Sequence, residues 1–297
     1  MSVEDFIITA FCLVSEIFDQ EFKGAKLRTR GFKPKLSDPE MITMEIVGEF
    51  LEMATDKKIW LYFKNHWQAW FPGLGCRSNF VRQASNLWKV KQIIQEKVAE
   101  RLNARNDDLH IADGFPLSIC KFKRAYFRSL FKGIASYGYC ASKDEKYYGL
   151  KGNVAINSIG VISNITFTPA NVDERESLWE IVNNIKGLVF ADKGLIGEFF
   201  QKELMTEASI NLQTPMRKNM DDPRGKDAAP WLVSTRRLVE TVIGQLTDRF
   251  NIEKNWARDA WHFTNRITRK ILSHTVAIFI NKMIGNQPLQ FEHLVTE

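Results

Sequence analysis

The chain has few of the residues that build disulfide scaffolds or soft-metal sites. Among 297 residues there are four cysteines and five histidines. Cys12, Cys76, Cys120 and Cys140 form no C-x-x-C pair, and no histidine stands at zinc-finger spacing from them. That excludes a disulfide framework and a thiolate zinc site, and it fits the reduced thiols of a cytosolic protein. Long hydrophobic runs are missing too. The most apolar late stretch, 274–284, is too short and too interrupted to span a bilayer. The opening Met1-Ser2-Val3-Glu4-Asp5 is acidic and lacks the basic start of a signal peptide. The expected location is the cytoplasm, with no membrane contact.

What is present describes a soluble globular protein: 44% hydrophobic and 26% charged residues, in a chain long enough for two structural units. The formal charge of +6 leans towards a polyanionic partner without establishing one.

Periodicity divides the chain. The first hundred residues read as helices, with no β alternation and no internal repeat. Val3, Phe6, Ile7, Ala10, Phe11, Val14, Ile17 and Phe18 recur at helical spacing. Lys23 to Lys35, with Arg28 and Arg30, reads as a basic loop, either an arm for DNA or a plain link. Ser37-Asp38-Pro39-Glu40 predicts a capping box with proline in the first turn. Asp56 opens a further helix and Ser78 caps the last one, which runs to Arg101. The polar run 103–108 marks a boundary, giving a helical domain over 1–105 and a second domain over 106–297.

The second domain reads as strand, antiparallel strands, helix, strand, helix, strand, helix. His110 to Cys120 is a buried strand. Two or three short strands are expected over 147–168, at 148–151, 154–157 and 160–168, with Gly and Asn-Ser pairs as turns. A helix follows through Ile185, then a strand over 188–192, a helix over 197–208 and a strand over 210–214. The polar loop 215–230 precedes two helices, about 231–250 and 261–284. This order predicts an α/β domain with a mixed five-stranded sheet flanked by helices.

Three acids stand out. Asp113 and Asp192 each follow a short apolar run and precede a Gly-containing turn, which reads as a carboxylate closing a buried strand. Glu240 lies on a helix whose buried stripe is Val239, Val242, Ile243, Leu246 and Phe250; Arg236 and Gly244 share its face. Each has a plain alternative: an Asp-Gly turn, an Asp-Lys-Gly loop, and a surface Arg236–Glu240 ion pair. Together, two strand-end carboxylates and one helix carboxylate can converge on a pair of hard divalent cations, a site suited to phosphodiester chemistry.

Basic residues suggest where DNA would run. Lys121, Lys123, Arg124, Arg128 and Lys132 are interleaved with Phe122, Tyr126, Phe127 and Phe131, which suits a phosphate track with base stacking or, equally, a solvated amphipathic segment. Arg266, Arg269 and Lys270 fall at i, i+3, i+4 and predict one basic helix face, beside Trp256, Trp261 and His262.

At these acids the chain resembles the DDE transposases of bacterial insertion sequences, within the ribonuclease-H-like superfamily, and most nearly the insertion-sequence family numbered 982. The resemblance runs from about Asp108 to Ile284 through IADGFPLSICKFKRA, GYCASKDEKYYGLKGN, TFTPANVDE, VFADKGLIG and RRLVETVIGQL. It implies a ribonuclease-H-like sheet and assigns the catalytic, metal-holding acids to Asp113, Asp192 and Glu240. Two Mg²⁺ ions are expected, Mn²⁺ substituting, one shared by Asp113 and Asp192 and one by Asp113 and Glu240. It places Lys151 near the catalytic edge and adds Lys193, Arg236 and Arg237 to the DNA contacts. The expected partners are the duplex terminal inverted repeats and target DNA, bound by a homodimer associated with the nucleoid, with the helical domain over 1–105 binding the element ends or dimerising.

The implied activity is metal-dependent cleavage at the element ends and strand transfer of the freed 3′-hydroxyl into target DNA. The alternatives are a nuclease of the same superfamily that does not join, and an inactive DNA-binding relic. Related transposases carry a Tyr-x₂-Arg-x₃-Glu-x₆-Lys signature. Here Arg236 fits the arginine, but Val233 and Thr247 stand at the tyrosine and lysine positions. The spacing from Asp192 to Glu240 leaves room for a strand and a loop, not for a large inserted domain.

Overall fold

The computed structural model describes residues 1–28, 32–127, 131–140, 144–216, 224, 228–254 and 256–296. The chain forms two compact units, Met1–Val98 with Asp248–Glu297, and Ala99–Thr247. The boundary near residue 99 lies close to the change of periodicity. The C-terminal helix groups with the N-terminal helices, however, and not with the second domain as expected.

The helical unit contains α1 (Val3–Phe22), α2 (Asp38–Phe50), α3 (Asp56–His66), α4 (Arg77–Asn86), most of α5 (Trp88–Arg101) and α9 (Ala260–Met283). The capping box at α2 forms as read. Ser37 N–H donates to Glu40 Oε2 at 2.7 Å, and Glu40 N–H donates to Ser37 Oγ at 3.3 Å. Beyond its first turn α2 is buried on every side, from Met41 to Phe50. That is unusual for a helix carrying Glu45 and Glu49, and it requires buried cations to match them. The helix expected to start at Ser78 is two helices. α4 begins at Arg77, after a Cys76 cap that makes no side-chain bond, and the chain breaks at Leu87 before α5. Among the described residues no helix is long and apolar enough to cross a membrane.

The second unit is a mixed α/β layer. Its strands are β1 (Leu109–Lys121), β2 (Ser136–Cys140), β3 (Glu145–Asn157), β4 (Ile162–Pro169), β5 (Gly187–Phe190) and β6 (Ile210–Gln213). The sheet order is β2-β3-β1-β5-β6, with β4 pairing β3 as well. Pairings among β1 to β4 are antiparallel; β1–β5 and β5–β6 are parallel. Its helices are α6 (Glu174–Ile181), α7 (Glu198–Ala208) and α8 (Ala228–Gly244), which runs on into a π-helical turn, Gln245–Arg249.

Three strand expectations need correction. The sheet has six strands rather than five, because β2 joins the β3 edge. The segments 148–151 and 154–157 are one strand. Gly152, between them, is not a turn, and Gly149 lies within the first: a Cβ on Gly149 would lie 2.0 Å from the Leu117 carbonyl oxygen, and one on Gly152 would lie 2.7 Å from the Phe115 ring. They let β3 approach β1 closely. Asp113 does not close β1. The strand passes through Asp113 and Gly114, paired with Val154 and Asn153, and continues to Lys121.

One face of the sheet packs against α6 and α7 through Ala112, Val189, Ala191, Leu178, Phe200 and Leu204. Strand alternation turns Ile111, Asp113 and Phe190 the other way. On that side the Phe190 ring meets Trp231 of α8 edge-on, centroids 4.7 Å apart.

Candidate functional site

The site begins with a register. β1 and β5 run parallel, with Ile111 opposite Phe190. Both strands read apolar-Ala-Asp, as Ile111-Ala112-Asp113 and Phe190-Ala191-Asp192. Two residues past the Ile111–Phe190 pair, each chain presents its aspartate at the same level. Ala191 N–H still donates to Gln213 O at 3.1 Å, so β5 remains tied to the β6 edge up to the residue before Asp192. Asp192 lies just past the strand end, at the N-cap of a short 3₁₀ turn, Lys193–Leu195, so the strand expected over 188–192 stops at Phe190.

The third acid comes from α8, which Val239 and Val242 anchor in the core. Arg236 and Glu240 project from its site-facing side one turn apart. The Arg236 guanidinium gathers all three carboxylates. Its Nη1 donates to Asp192 Oδ1 at 2.6 Å, its Nη2 to Asp113 Oδ2 at 3.4 Å, and its Nε lies 3.7 Å from Glu240 Oε1. Glu240 is the outermost of the three, 59% exposed against 19% for Asp113.

The electrostatics follow from this crowding. Burial pushes the Asp113 carboxyl above the ordinary carboxylate range, and the charge of Asp192 adds to the push. The Gly114 N–H, 2.8 Å from Asp113 Oδ1, and the guanidinium pull the other way without cancelling it. Burial works against the charge of Arg236, but Asp113 and Asp192 outweigh it and hold the guanidinium firmly protonated.

A cavity of about 330 Å³ opens beside the two aspartates, lined also by Lys151, Asn153 and Glu174. Lys151 reaches it from β3, with its Nζ 3.4 Å from Glu174 Oε1. Glu174 stands in the first turn of α6, which Asp173 caps by accepting from Arg175 N–H. Glu174 is not among the site residues expected from the sequence, and its place at the cavity was missed. Its signal was weak: one of several acids in Asp173-Glu174-Arg175-Glu176.

The remaining candidates scatter. Lys193 and Arg237 are exposed, next in sequence to Asp192 and Arg236. Lys123 and Arg124 are exposed on a 3₁₀ stretch, Phe122–Phe127. The Lys121 side chain, Arg128, Arg30 and the Val233 side chain lie outside the described residues. Gly244 has open space around it: a Cβ there would meet nothing within 4 Å. Arg28 is paired with Asp38.

The basic face expected from Arg266, Arg269 and Lys270 is not a solvent face. Arg269 and Lys270 are buried at 0% and 1% exposure. Arg269 bonds Glu45, Glu49 and Asp56; Lys270 bonds Glu49 and the Phe250 carbonyl; Arg266 Nη2 donates to Asp56 Oδ2 at 2.8 Å. Lys91, also buried, takes Glu45. The i, i+3, i+4 face is there, but it points at Glu45 and Glu49 of α2 and Asp56 of α3 and is consumed by them.

The acids around Arg236 suit a hard cation in their chemistry. All the donors are carboxylate oxygens, and one guanidinium against three carboxylates leaves the cluster short of positive charge. The guanidinium already stands among them as a cation. Among the described residues no three acids, histidines or cysteines are arranged to hold one metal ion together. Coordination by all three acids therefore requires Arg236 to withdraw.

The family described as "Transposase DDE domain" matches residues 103–260, more than half of the chain. No curated protein matches the chain, and no solved structure does.

Proposed function

Because the chain belongs to the transposase DDE domain family, we propose that it cuts DNA at the ends of an insertion sequence and joins the freed 3′-hydroxyl to target DNA. The observation that carries this reading is the meeting of Asp113, Asp192 and Glu240, distant in sequence, on the single guanidinium of Arg236. The strand order supports a ribonuclease-H-like reading of the fold: β4, β3 and β1 antiparallel, then β5 and β6 parallel to β1.

Asp113, Asp192 and Glu240 would hold two Mg²⁺ ions, or Mn²⁺ in their place, which when bound supply an activated oxygen nucleophile and stabilise charge on the leaving oxygen. Arg236, once it releases the carboxylates, is left with its donor fork facing the same place. A guanidinium fork matches a phosphate bidentately, so Arg236 would exchange carboxylates for a backbone phosphate. Lys151 sits in the same cavity, held towards it by Glu174, and would act as a point charge on a neighbouring phosphate. Lys193, Arg237, Lys123 and Arg124 would extend the track along the backbone.

Water attacks the phosphorus at the element end, the bond to the 3′ oxygen breaks, and a 3′-hydroxyl is left. That hydroxyl then attacks a target phosphorus and expels a target 3′ oxygen. One site serves both steps, since only the nucleophile changes. Two element ends need two such sites, so the expected assembly on DNA is a homodimer.

The test uses purified protein, duplex carrying the flanking terminal repeats, and Mg²⁺, with every cut and joined strand mapped. Joined products support the transposase. Cutting without joining supports a nuclease. No Mg²⁺-dependent cutting supports a DNA-binding relic.

A further inference from the structure

A second charged concavity lies wholly within the helical unit, formed by α3, α4 and α9. It is a groove of about 710 Å³. Its lining holds four Lys and Arg side chains, Lys57, Arg77, Arg82 and Arg266, against one carboxylate, Asp56. That carboxylate is already committed to Arg266 and to the buried Arg269. Burial works to raise the Asp56 pKa, but the two guanidinium groups outweigh it and hold the group far below the usual carboxylate range. It is therefore a fixed part of the groove wall and not a spare partner for the other cations.

Lys57, Arg77 and Arg82 are exposed. The one hydrogen bond found for their side chains runs from Arg82 Nη2 to the neutral Asn79 Oδ1 at 2.8 Å. Their charges thus stand in the groove unneutralised among the described residues.

The backbone adds to the same field. Three helices begin at this groove: α3 at Thr55 to Lys57, α4 at Arg77 and Ser78, and α9 at Trp261 and His262. Thr55 caps α3 and Asp259 caps α9, whereas the Cys76 cap of α4 makes no side-chain bond. Asn79 and Phe80 N–H donate to the Cys76 carbonyl, which leaves the Arg77 and Ser78 N–H groups without a cap, beside two arginines, at a positive helix end. Trp261, 48% exposed, stands at the groove with its ring edge-on to Trp88, 6.0 Å between centroids. A half-exposed indole among unpaired cations suits a ligand that is anionic and flat-faced.

We infer that this groove of the helical unit binds the phosphate backbone of DNA, with Lys57, Arg77, Arg82 and the start of α4 as phosphate contacts. The inference rests on the DNA-processing reading above. It assigns DNA binding to a face of α9 and its neighbours other than the buried Arg269–Lys270 face.

The experiment measures binding without cleavage. Fluorescence anisotropy of a labelled duplex, in EDTA, is recorded for the full-length protein across a salt series. The triple variant Lys57→Ala, Arg77→Ala, Arg82→Ala should bind roughly tenfold or more weakly at low salt. Its slope of log affinity against log salt should flatten by about two to three, since each lost phosphate contact removes about 0.9. Circular dichroism melts should be unchanged, because the three side chains are exposed. If the melt does shift, the single Arg77→Gln variant repeats the measurement, with a slope change near one expected. Trp261→Ala should weaken binding with little change of slope.

A wild-type slope in a folded triple variant overturns the groove. Polyglutamate competing as well as unlabelled duplex overturns DNA as its ligand. Failure of the catalytic reading would look different: a groove-dependent slope would persist while Mg²⁺ produced no cutting.

Discussion

Asp113 and Asp192 stand side by side because Ile111 pairs with Phe190 in the parallel β1–β5 ladder, and both strands advance two residues from that pair to an aspartate. Two neighbouring carboxylates repel one another, and Arg236 is the cation that holds them together. Replacing it with a neutral side chain should expose what the acids then accept.

In Arg236→Gln the carboxylates lose their internal counter-charge. The cost to stability should be small, about 1 kcal/mol or less, because the groups are a fifth to three-fifths exposed and screened by solvent. Added Mg²⁺ should raise the melting temperature of the variant more than that of the wild type, since the ion no longer competes with a guanidinium. Differential scanning calorimetry with and without Mg²⁺ checks this. Equal Mg²⁺ shifts would show that Arg236 does not occupy the cation position.

The buried ionic cluster of the helical unit makes a separate prediction. Arg269 is the shared partner of Glu45, Glu49 and Asp56. Arg269→Met leaves those acids buried and undercompensated, so it should cost about 3–5 kcal/mol. The readout is the urea midpoint of the helical unit. A midpoint within experimental error of the wild type would mean that the acids find other partners.

His274 gives the unit a pH dependence of known sign. Burial pushes its imidazole down to about 3. Its ring packs against Phe250 and Phe291, with centroids 5.8 and 5.3 Å away. The unfolded chain takes up a proton near the ordinary histidine value of about 6.5, and the folded chain does not do so until about pH 3. Between those values the unfolded state binds more protons, so this residue makes stability fall as pH falls. The contribution approaches about 1.4 kcal/mol per pH unit. His274→Leu should flatten urea-derived stability against pH by that amount between about pH 6 and 4. An unchanged slope would contradict a buried neutral imidazole.

Local chemistry in the sequence was legible where one segment decides the outcome. The Ser37–Glu40 capping box and the runs that became β5, β6, α6 and α7 needed only their own residues. Pairing decided the rest. Asp113-Gly114 has the composition of a turn, yet β3 pairs straight across it. Gly149 and Gly152 look like breaks in β3 until Leu117 and Phe115 are seen occupying the space a side chain would need. Arg269 and Lys270 read as surface because charged residues usually are. Only the placement of Glu45 and Glu49 on the part of α2 buried from Met41 to Phe50 reverses that. The twin apolar-Ala-Asp triplets were the one long-range signal present in the letters, and their meaning depends on a parallel register that no single segment contains. Glu174 was hidden for the same reason: its neighbours at the cavity come from β1, β3 and the turn after β5.

The most direct test of the account is the effect of three near-isosteric changes on one reaction. Asp113→Asn, Asp192→Asn and Glu240→Gln are each incubated with terminal-repeat duplex and Mg²⁺, with released 3′-hydroxyl ends mapped by gel and DNA binding measured alongside. A neutral amide is a poor ligand for a hard dication, so each variant should fall to background cutting and joining while retaining most of its DNA affinity. Cutting at the wild-type rate by any one of the three, or wild-type cutting that survives a chelator, would contradict a metal-dependent site built from these acids.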